Sequence, residues 1–250
     1  MSSARSLEGH VTLVTGASTG IGRASALALA RAGADVALAA RRTKLLEEVA
    51  VDIENETGVD TFVSPTDVSK EEEVDEMVET SVDALGGLDV VVNNAGIARD
   101  HVLEDVQTRE YREVMGVNVD GAFFTTRAAL PYLRASKGIL VFVGSYAGHF
   151  PYPANPLYAS TKWWLRGFAS SIAAAAGTDD VGVTLVNPSE VRTAFNFGPD
   201  DPTPYRDRFD SDEATDPAVI ADAVVFASSQ EPPNAVFEID LYRRDKFSSF

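Results

Sequence analysis

Short runs of apolar and β-branched residues alternate with longer helical patterns along most of the chain. The first run is Val11–Thr15, and an Ala- and Leu-rich helical pattern follows it over Ile21–Ala32. Near-continuous apolar runs such as Val90–Val92 and Ile139–Val143 are typical of strands buried on both faces of a parallel sheet. This alternation predicts a Rossmann-like α/β fold, a doubly wound and mainly parallel seven-stranded sheet with helices on both faces.

The periodic segments give approximate boundaries for each element. We expect strands at Val11–Thr15, Val36–Ala40, Thr61–Ser64, Leu88–Val92, Ile139–Val143, Val181–Asn187 and Ala235–Leu241. We expect helices over Ile21–Ala32, after a cap at Thr43, from Ser69 to about Ala84, from Glu104 to Ala135, from Pro156 to Ala176 and over Pro217–Ser229.

No repeat and no long linker interrupts this pattern, so we expect a single domain over residues 1–250. The irregular stretch Asn196–Ala214, rich in Pro, Asp and Arg, is either a surface loop or a lid. Its position favours a substrate lid, which we assign to residues 194–215.

Composition excludes several functional classes. The absence of Cys excludes disulfides, thiolate metal sites and cysteine nucleophiles, and the three His lack a metal-ligand spacing, so we expect no metal site. No apolar run approaches the ~20 residues that span a bilayer, and the first residues lack the apolar core of a secretory signal. A net charge of −17 opposes binding to nucleic acid and anionic lipid. We therefore expect a cytoplasmic protein that acts on a small molecule.

The glycine-rich turn after the first strand predicts a dinucleotide site. It reads Thr-Gly-Ala-Ser-Thr-Gly-Ile-Gly over Thr15–Gly22 and leads straight into a helix. Glycines let the backbone approach a pyrophosphate, and the helix N-terminus offers free N–H groups and a positive dipole end. A helix-entry turn with incidental glycines is the alternative, but the strand–turn–helix context favours a phosphate loop.

The glycine spacing resembles the T-G-x-x-x-G-x-G motif of the short-chain dehydrogenase/reductase family. The resemblance covers residues 9–242 and continues in family order through Asn93-Asn94-Ala95-Gly96, Asn118, Ser145 and the Tyr-x-x-x-Lys motif of Tyr158 and Lys162. The C-terminal segment is more similar to the 3-hydroxy-acid and general NADP-dependent alcohol dehydrogenases of this family than to its acyl-carrier-protein reductases. The family's reaction is hydride transfer between a nicotinamide cofactor and a carbonyl/alcohol pair.

The resemblance also implies which residues bind the cofactor. They are Gly16, Ser18, Thr19, Gly20, Ile21, Gly22, Asp67, Val68, Asn94, Ala95, Gly96, Tyr158, Lys162, Pro188, Val191 and Thr193. Asp67 and Val68 would bracket the adenine, although Asp67 can equally be a helix-entry residue before Ser69. Ser189 stands where the family usually has Gly.

The end of the second strand predicts NADP(H) rather than NAD(H). NAD sites place a carboxylate there for the ribose 2′-hydroxyl, whereas NADP sites place a basic residue for the 2′-phosphate. Here the strand ends with Arg41 and Arg42, and a guanidinium fork suits a phosphate. We favour Arg41 for the phosphate, with Arg42 beside it. The alternative is that both arginines are surface residues paired with Glu47 and Glu48.

Tyr158 and Lys162 lie four apart on a predicted helix, so their side chains share one face. A nearby ammonium, together with a positive nicotinamide ring, would lower the phenol pKa from ~10 towards neutrality. Tyr158 is then the acid/base, and Lys162 can also hold the ribose hydroxyls. By resemblance, Ser145 fixes the substrate carbonyl and Asn118 steadies a water chain from Lys162. Taken singly, these residues have ordinary alternatives. A Tyr and a Lys four apart are usually an exposed pair on a helix, and Ser145 alone would be an ordinary residue at the end of a strand.

The connection from Ser145 to Tyr158 and the segment Asn196–Ala214 flank the catalytic residues, so we expect them to form the substrate site. The candidate substrate residues are Ser145, His149, Tyr152, Tyr158 and Phe195, with Phe197 and Tyr205 also on the lid segment. The aromatics predict a modest apolar pocket, whereas packing under their own loops is the alternative. For His149, a surface position is the alternative.

Two other functions remain open from the sequence: a non-catalytic NADP-binding regulator or scaffold, and an NAD-preferring dehydrogenase of the same fold. We expect a homodimer or homotetramer, and Trp164 lies either at a subunit interface or in the core of its own chain.

The acidic composition predicts a halophilic protein, in preference to an ordinary acidic enzyme. Asp and Glu number 38 against 21 Lys and Arg, a surplus whose self-repulsion salt would screen. We expect both activity and the melting temperature to fall on dialysis from molar KCl into dilute buffer. Calorimetry and an activity assay on both samples measure this, and unchanged values would overturn the hypothesis.

Overall fold

Seven parallel strands form one sheet in the computed structural model, which describes residues 7–99, 103–195, 203–210 and 213–246. The strands are β1 (Val11–Thr15), β2 (Asp35–Ala40), β3 (Thr61–Pro65), β4 (Val90–Asn93), β5 (Ile139–Val143), β6 (Gly182–Pro188) and β7 (Glu238–Leu241). Their order is β3-β2-β1-β4-β5-β6-β7, and every neighbouring pair is parallel. The predicted doubly wound fold is confirmed, with a sheet that is wholly parallel.

Helices cover both faces of this sheet. They are α1 (Gly20–Arg31), α2 (Thr43–Thr57), α3 (Glu71–Leu85), α4 (Thr108–Met115), α5 (Gly121–Ser136), α6 (Pro156–Ala176), α7 (Tyr205–Arg208) and α8 (Pro217–Ser228). Because successive strand residues point to opposite faces, Val14 packs with α1, α2 and α8, whereas its neighbour Leu13 packs with α3, α5 and α6. None of the described helices combines the length and apolar composition needed to cross a bilayer.

The single helix predicted from Glu104 to Ala135 is wrong. The segment contains a 3₁₀ turn at Leu103–Asp105, then α4, a π-helical turn over Gly116–Asp120, and α5. A new helix starts at α4 because the Glu110 carboxylate accepts a hydrogen bond from the Gln107 N–H at 3.0 Å, as in a capping box. The π turn admits an extra residue per turn, a feature that is frequent at functional sites.

Among the remaining elements, β1, β5 and α6 have the predicted bounds, and the other predicted ends agree with the structure or differ from it by one to three residues. The predicted cap at Thr43 is also wrong: Thr43 is the first residue of α2, and Arg42 holds the cap position without a capping side-chain bond. Much of the predicted lid, 196–202 and 211–212, lies outside the described residues and so does Phe197. The lid therefore stays a prediction.

Trp164 packs against its own chain. Its indole stacks on Phe168 with ring centroids 4.8 Å apart and planes 15° apart, within the apolar cluster on the α5 and α6 face of the sheet. This contact supports the intramolecular alternative, and a place at a subunit interface stays a prediction. Trp163 beside it is 46% exposed.

The turn between β1 and α1 depends on glycine at three positions. Gly16 and Gly20 have φ of +68° and +59°, the left-handed region that other residues avoid. Gly22 has no room for a side chain, since an added Cβ would lie 2.3 Å from the Gly16 carbonyl oxygen and 2.5 Å from Asn94 Nδ2.

We expect Gly22→Ala to lower the free energy of unfolding by about 1–3 kcal/mol, the usual range for an overpacked site. The Gly16 backbone cannot move aside as a flexible side chain would, and the Asn94 amide is held by its hydrogen bond to the Thr15 carbonyl oxygen. The matched control is Gly167→Ala in α6, where an added Cβ meets nothing within 4 Å. Denaturant unfolding of the three proteins measures the effect. Equal stability of G22A and the parent protein would contradict the packing described here.

Candidate active site

A cavity of about 660 Å³ opens at the carboxyl ends of β1 to β6. Each strand contributes the segment that directly follows it, so residues distant in sequence meet at one edge of the sheet. This edge includes the point between β1 and β4 where the strand order reverses, the usual position of a ligand crevice in doubly wound folds.

The structure brings most of the predicted site residues to this cavity. Those lining it are Gly16, Ser18, Thr19, Gly20, Ile21, Arg41, Arg42, Asp67, Val68, Asn94, Ala95, Gly96, Ser145, Tyr152, Tyr158, Lys162, Pro188, Val191, Thr193 and Phe195. Three predicted residues do not line it: Gly22, Asn118 and His149.

One end of the cavity is built to hold an anion. The N-terminus of α1 carries no capping side-chain bond and no acidic residue in its first turn, so its backbone N–H groups remain available. Arg42 donates from Nη2 to Ser18 Oγ at 3.0 Å and to Thr19 Oγ1 at 3.1 Å. Arg41 stands exposed on the rim. Neither arginine forms a salt bridge with Glu47 or Glu48 among the described residues, so the surface-pair alternative does not hold.

Thr15 and Asn94 tie the ends of β1 and β4 together. Asn94 Nδ2 donates to the Thr15 carbonyl oxygen at 2.8 Å. The Thr15 hydroxyl oxygen accepts from the N–H groups of Asn94 and Ala95 at 3.0 and 3.1 Å. Thr15 was not among the predicted site residues, although its place before the first glycine of the turn could have indicated this role.

Asp67 has the helix-entry role that was one of its two predicted alternatives. Its Oδ1 accepts from the N–H and the hydroxyl of Ser69 at 3.2 and 2.8 Å, as expected of a residue at a helix entry. The same residue also lines the cavity. Its contact with an adenine stays a prediction.

The start of α6 positions Tyr158 and Lys162. Asn155 caps the helix by accepting from the Tyr158 N–H at 3.0 Å, which places Tyr158 in the first turn and Lys162 one turn later. Lys162 is buried, donates from Nζ to the Val143 carbonyl oxygen at 2.8 Å, and lies 5.7 Å from the centre of the Tyr158 ring. Phenol and ammonium thus face the same cavity.

Burial moves the pKa values of these two groups in opposite directions. It raises the pKa of the Tyr158 phenol to about 12, against the opposing effect of a hydrogen bond with Ser145. It lowers the pKa of the Lys162 ammonium to about 8. Since burial is the largest cause for both, the expected lowering of the Tyr158 pKa by Lys162 and a nicotinamide stays a prediction.

Asn118 lies in the π turn and connects three segments. Its Oδ1 accepts from the Ile97 N–H at 2.8 Å, and its Nδ2 donates to the Ile97 carbonyl oxygen at 2.9 Å and to Thr161 Oγ1 at 3.1 Å. These bonds fix the segment after β4 against α6, directly beside Lys162. The predicted water chain through Asn118 stays a prediction.

His149 faces away from the cavity. Its Nε2 lies 2.8 Å from Glu238 Oε1 and 3.2 Å from Asn187 Nδ2, within a polar group that joins the ends of β6 and β7. This position does not support the predicted substrate contact. The neighbouring Tyr152 and the more distant Phe195 do line the cavity, and the Phe195 ring lies 6.1 Å from that of Tyr158.

Sequence analysis missed two charged residues of the cavity wall, Arg99 and Glu190. Arg99 donates to the Ala98 carbonyl oxygen at 2.8 Å and to Glu113 at 3.0 Å. Glu190 pairs with Lys246 near the C-terminus. The place of Glu190 just after Pro188, in a segment already assigned to the site, could have indicated it.

Comparisons with known proteins agree with this geometry. A family model described as short chain dehydrogenase matches residues 10–199. An 11-beta-hydroxysteroid dehydrogenase A of Sesamum indicum is 38% identical over 76% of this chain, and the match spans only 55% of the sesame protein.

Two solved structures cover nearly the whole chain. An alcohol dehydrogenase from the archaeon Thermococcus sibiricus, complexed with 5-hydroxy-NADP, has a TM-score of 0.86 and 32% identity, and 94% of this chain matches 97% of it. A 3-ketoacyl-(acyl-carrier-protein) reductase from Brucella melitensis, complexed with NADH, has a TM-score of 0.82 and 28% identity with the same coverage. The chain therefore belongs to the short-chain dehydrogenase family of oxidoreductases.

Proposed function

We propose that the protein interconverts a carbonyl and a secondary alcohol by hydride transfer with NADP(H), with Tyr158 as the acid/base. The observation that carries this proposal is one cavity shared by an anion-binding end and by the Ser145, Tyr158 and Lys162 side chains.

The residues present fit a dinucleotide. Gly16 and Gly20 have positive φ, so a residue with a Cβ would strain the turn at either position. The N-terminus of α1 leaves its N–H groups available for a pyrophosphate. Lys162 would hold the ribose hydroxyls, and the segment from Pro188 to Thr193 would hold the nicotinamide carboxamide. When bound, the nicotinamide supplies or accepts the hydride.

Tyr158 moves the proton that accompanies the hydride. In the reductive direction its hydroxyl donates to the oxygen that was the carbonyl, and in the oxidative direction its oxygen accepts the alcohol proton. The Ser145 hydroxyl, which shares a hydrogen bond with Tyr158, can hold the same substrate oxygen. The raised pKa keeps Tyr158 protonated near neutrality, which is the form that donation during reduction requires.

Cofactor preference depends on the end of β2. Arg42 is already engaged with Ser18 and Thr19, whereas Arg41 is exposed at the rim and available for a 2′-phosphate. An NAD-preferring enzyme is the alternative, but the described rim shows no carboxylate at this position. A regulator without turnover is the other alternative, and the Tyr158 and Lys162 pair favours an enzyme over it.

We expect Arg41→Asp to raise the KM for NADPH by about 10- to 100-fold, the loss expected for a hydrogen bond to a charged group. The introduced carboxylate repels a phosphate and can accept from a ribose hydroxyl, so NADH use should improve. Initial rates with both cofactors measure this.

The control for that variant is Arg134→Asp. Arg134 lies near the C-terminal end of α5 and forms an ion pair with Asp179, which follows α6, at the opposite edge of the sheet, so the charge reversal is matched and distant. An unchanged cofactor preference in R41D, or an equal change in R134D, would overturn the assignment of Arg41.

We expect Tyr158→Phe to lower kcat by at least about 100-fold, because general acid–base catalysis commonly contributes 10²–10⁴-fold. NADPH binding, followed by fluorescence titration, should be nearly unchanged since the ring remains. Absorbance of the reduced nicotinamide with a panel of ketones, 3-oxo acids and sugars gives the rates. Retained turnover in Y158F would overturn the mechanism.

The same assay gives the direction of the pH dependence for the parent protein. Oxidation needs the phenolate, and the raised pKa of Tyr158 leaves little of it near neutrality. The oxidation rate should therefore rise with pH, while the reduction rate falls as the phenol loses its proton. An oxidation rate that declines from about pH 7 to about pH 9 would contradict this role.

A further inference from the structure

Aromatic residues close the end of the cavity beyond Ser145. The Tyr146 ring lies 5.6 Å from that of Tyr152 and 6.5 Å from that of Tyr242, which follows β7. Tyr152 and Tyr146 both line the cavity, as does Phe195 on the other side of Tyr158. We call this part of the cavity, which includes Ser145 and the rings around Tyr146, the substrate end.

One carboxylate stands in the wall of the substrate end. Glu190 lines the cavity, and its Oε1 is bound by the Lys246 ammonium, which itself lies 4.2 Å from the centre of the Tyr146 ring. Its second oxygen, Oε2, is buried and accepts no hydrogen bond from the described residues. The neighbouring Ser189 hydroxyl is also buried in the cavity wall without a described hydrogen bond. A buried acceptor of this kind is costly unless a ligand supplies a donor.

The cations around this part of the cavity already have partners. Lys246 is paired with Glu190. Arg243 is paired with Asp245, which raises its pKa, and the Glu190 charge raises that pKa further. In the cavity wall Arg99 is paired with Glu113, and the donors of Lys162 serve the Val143 carbonyl oxygen and, in the proposed function, the cofactor ribose. A carboxylate on the substrate would therefore meet Glu190 without a cation kept for it. A hydroxyl, in contrast, can donate to this carboxylate once rotation about its last side-chain bond, a soft torsion, brings the buried Oε2 to the cavity surface.

We propose that Glu190 determines substrate specificity: it favours neutral carbonyl compounds that carry a hydroxyl group and disfavours carboxylates. The inference rests on the proposed function, because it concerns the substrate of that reaction. Of the two subgroups that the C-terminal segment resembles, it favours general alcohol dehydrogenases over those acting on 3-hydroxy acids. The physical basis is an unsatisfied acceptor for the one class and like-charge repulsion for the other.

Three four-carbon ketones isolate the two effects. They are 4-hydroxy-2-butanone, 2-butanone and acetoacetate, which differ in a terminal hydroxyl, a methyl and a carboxylate. For the parent protein with NADPH, we expect kcat/KM to decrease in that order. Higher kcat/KM for acetoacetate than for 4-hydroxy-2-butanone would overturn the inference.

Two substitutions of Glu190 separate charge from hydrogen bonding. Glu190→Gln keeps an acceptor and removes the charge, so kcat/KM for acetoacetate relative to 2-butanone should rise about tenfold, equivalent to about 1.4 kcal/mol. Glu190→Leu removes the acceptor as well, and 4-hydroxy-2-butanone should lose its advantage over 2-butanone. Unchanged ratios in both variants would overturn the inference.

Two further variants exclude other causes. The double variant with Glu190→Gln and Lys246→Gln has no freed ammonium, so a gain for acetoacetate that persists supports the role of Glu190, and a gain that vanishes overturns it. Asp179→Asn is the matched control, since it neutralises an ion-paired carboxylate at the opposite edge of the sheet. An equal gain in D179N would reveal a long-range effect of net charge and overturn the inference.

The failures of the two proposals are distinguishable. Reduction of these ketones with ratios that Glu190 does not influence would overturn the specificity role alone. No reduction of any of the three by the parent protein, despite tight NADPH binding, would count against the proposed function and this inference with it.

Discussion

The rest of the site depends on the hydrogen bonds between Thr15 and Asn94, which fix the crevice between the ends of β1 and β4. The Thr15 hydroxyl donates to the Val92 carbonyl oxygen at 3.3 Å and accepts from two N–H groups after β4, while Asn94 returns a bond to the Thr15 carbonyl at 2.8 Å. These short side chains join β1 to β4 where the strand order reverses, without filling the crevice above them. The turn must pass close over Asn94, which is why Gly22 cannot carry a side chain.

Local patterns in the sequence were sufficient for most of the fold. The order of strands and helices and the glycine turn follow from periodicity and turn chemistry, both of which act over a few residues. The long helix was mispredicted because a π turn keeps the chain helical, so the apolar pattern shows no break. Gly116 begins that turn and Gly121 follows it, and these two glycines were the signal in the sequence. An added Cβ at Gly121 would lie 2.8 Å from a Val68 methyl group.

The site was predictable where residues directly follow strands, because parallel strands deliver those segments to one edge. The site was not predictable where the direction of a side chain decides whether the residue lines the cavity. His149 and Tyr152 share one connection, yet His149 faces Glu238 and Tyr152 faces the cavity. The pair of Glu190 and Lys246 joins positions 56 residues apart, a contact that local sequence patterns do not encode.

Burial of the Tyr158 and Lys162 pair reverses the usual order of their proton affinities. In water a lysine ammonium holds its proton slightly more tightly than a phenol, whereas here the pKa values are about 8 for Lys162 and about 12 for Tyr158. The proton therefore stays on the phenol, where reduction needs it. Lys162 uses one N–H for the Val143 carbonyl, and its remaining donors can serve a polar ligand in the cavity. A buried ammonium gains most from such a ligand, and in the proposed function that ligand is the ribose of the cofactor.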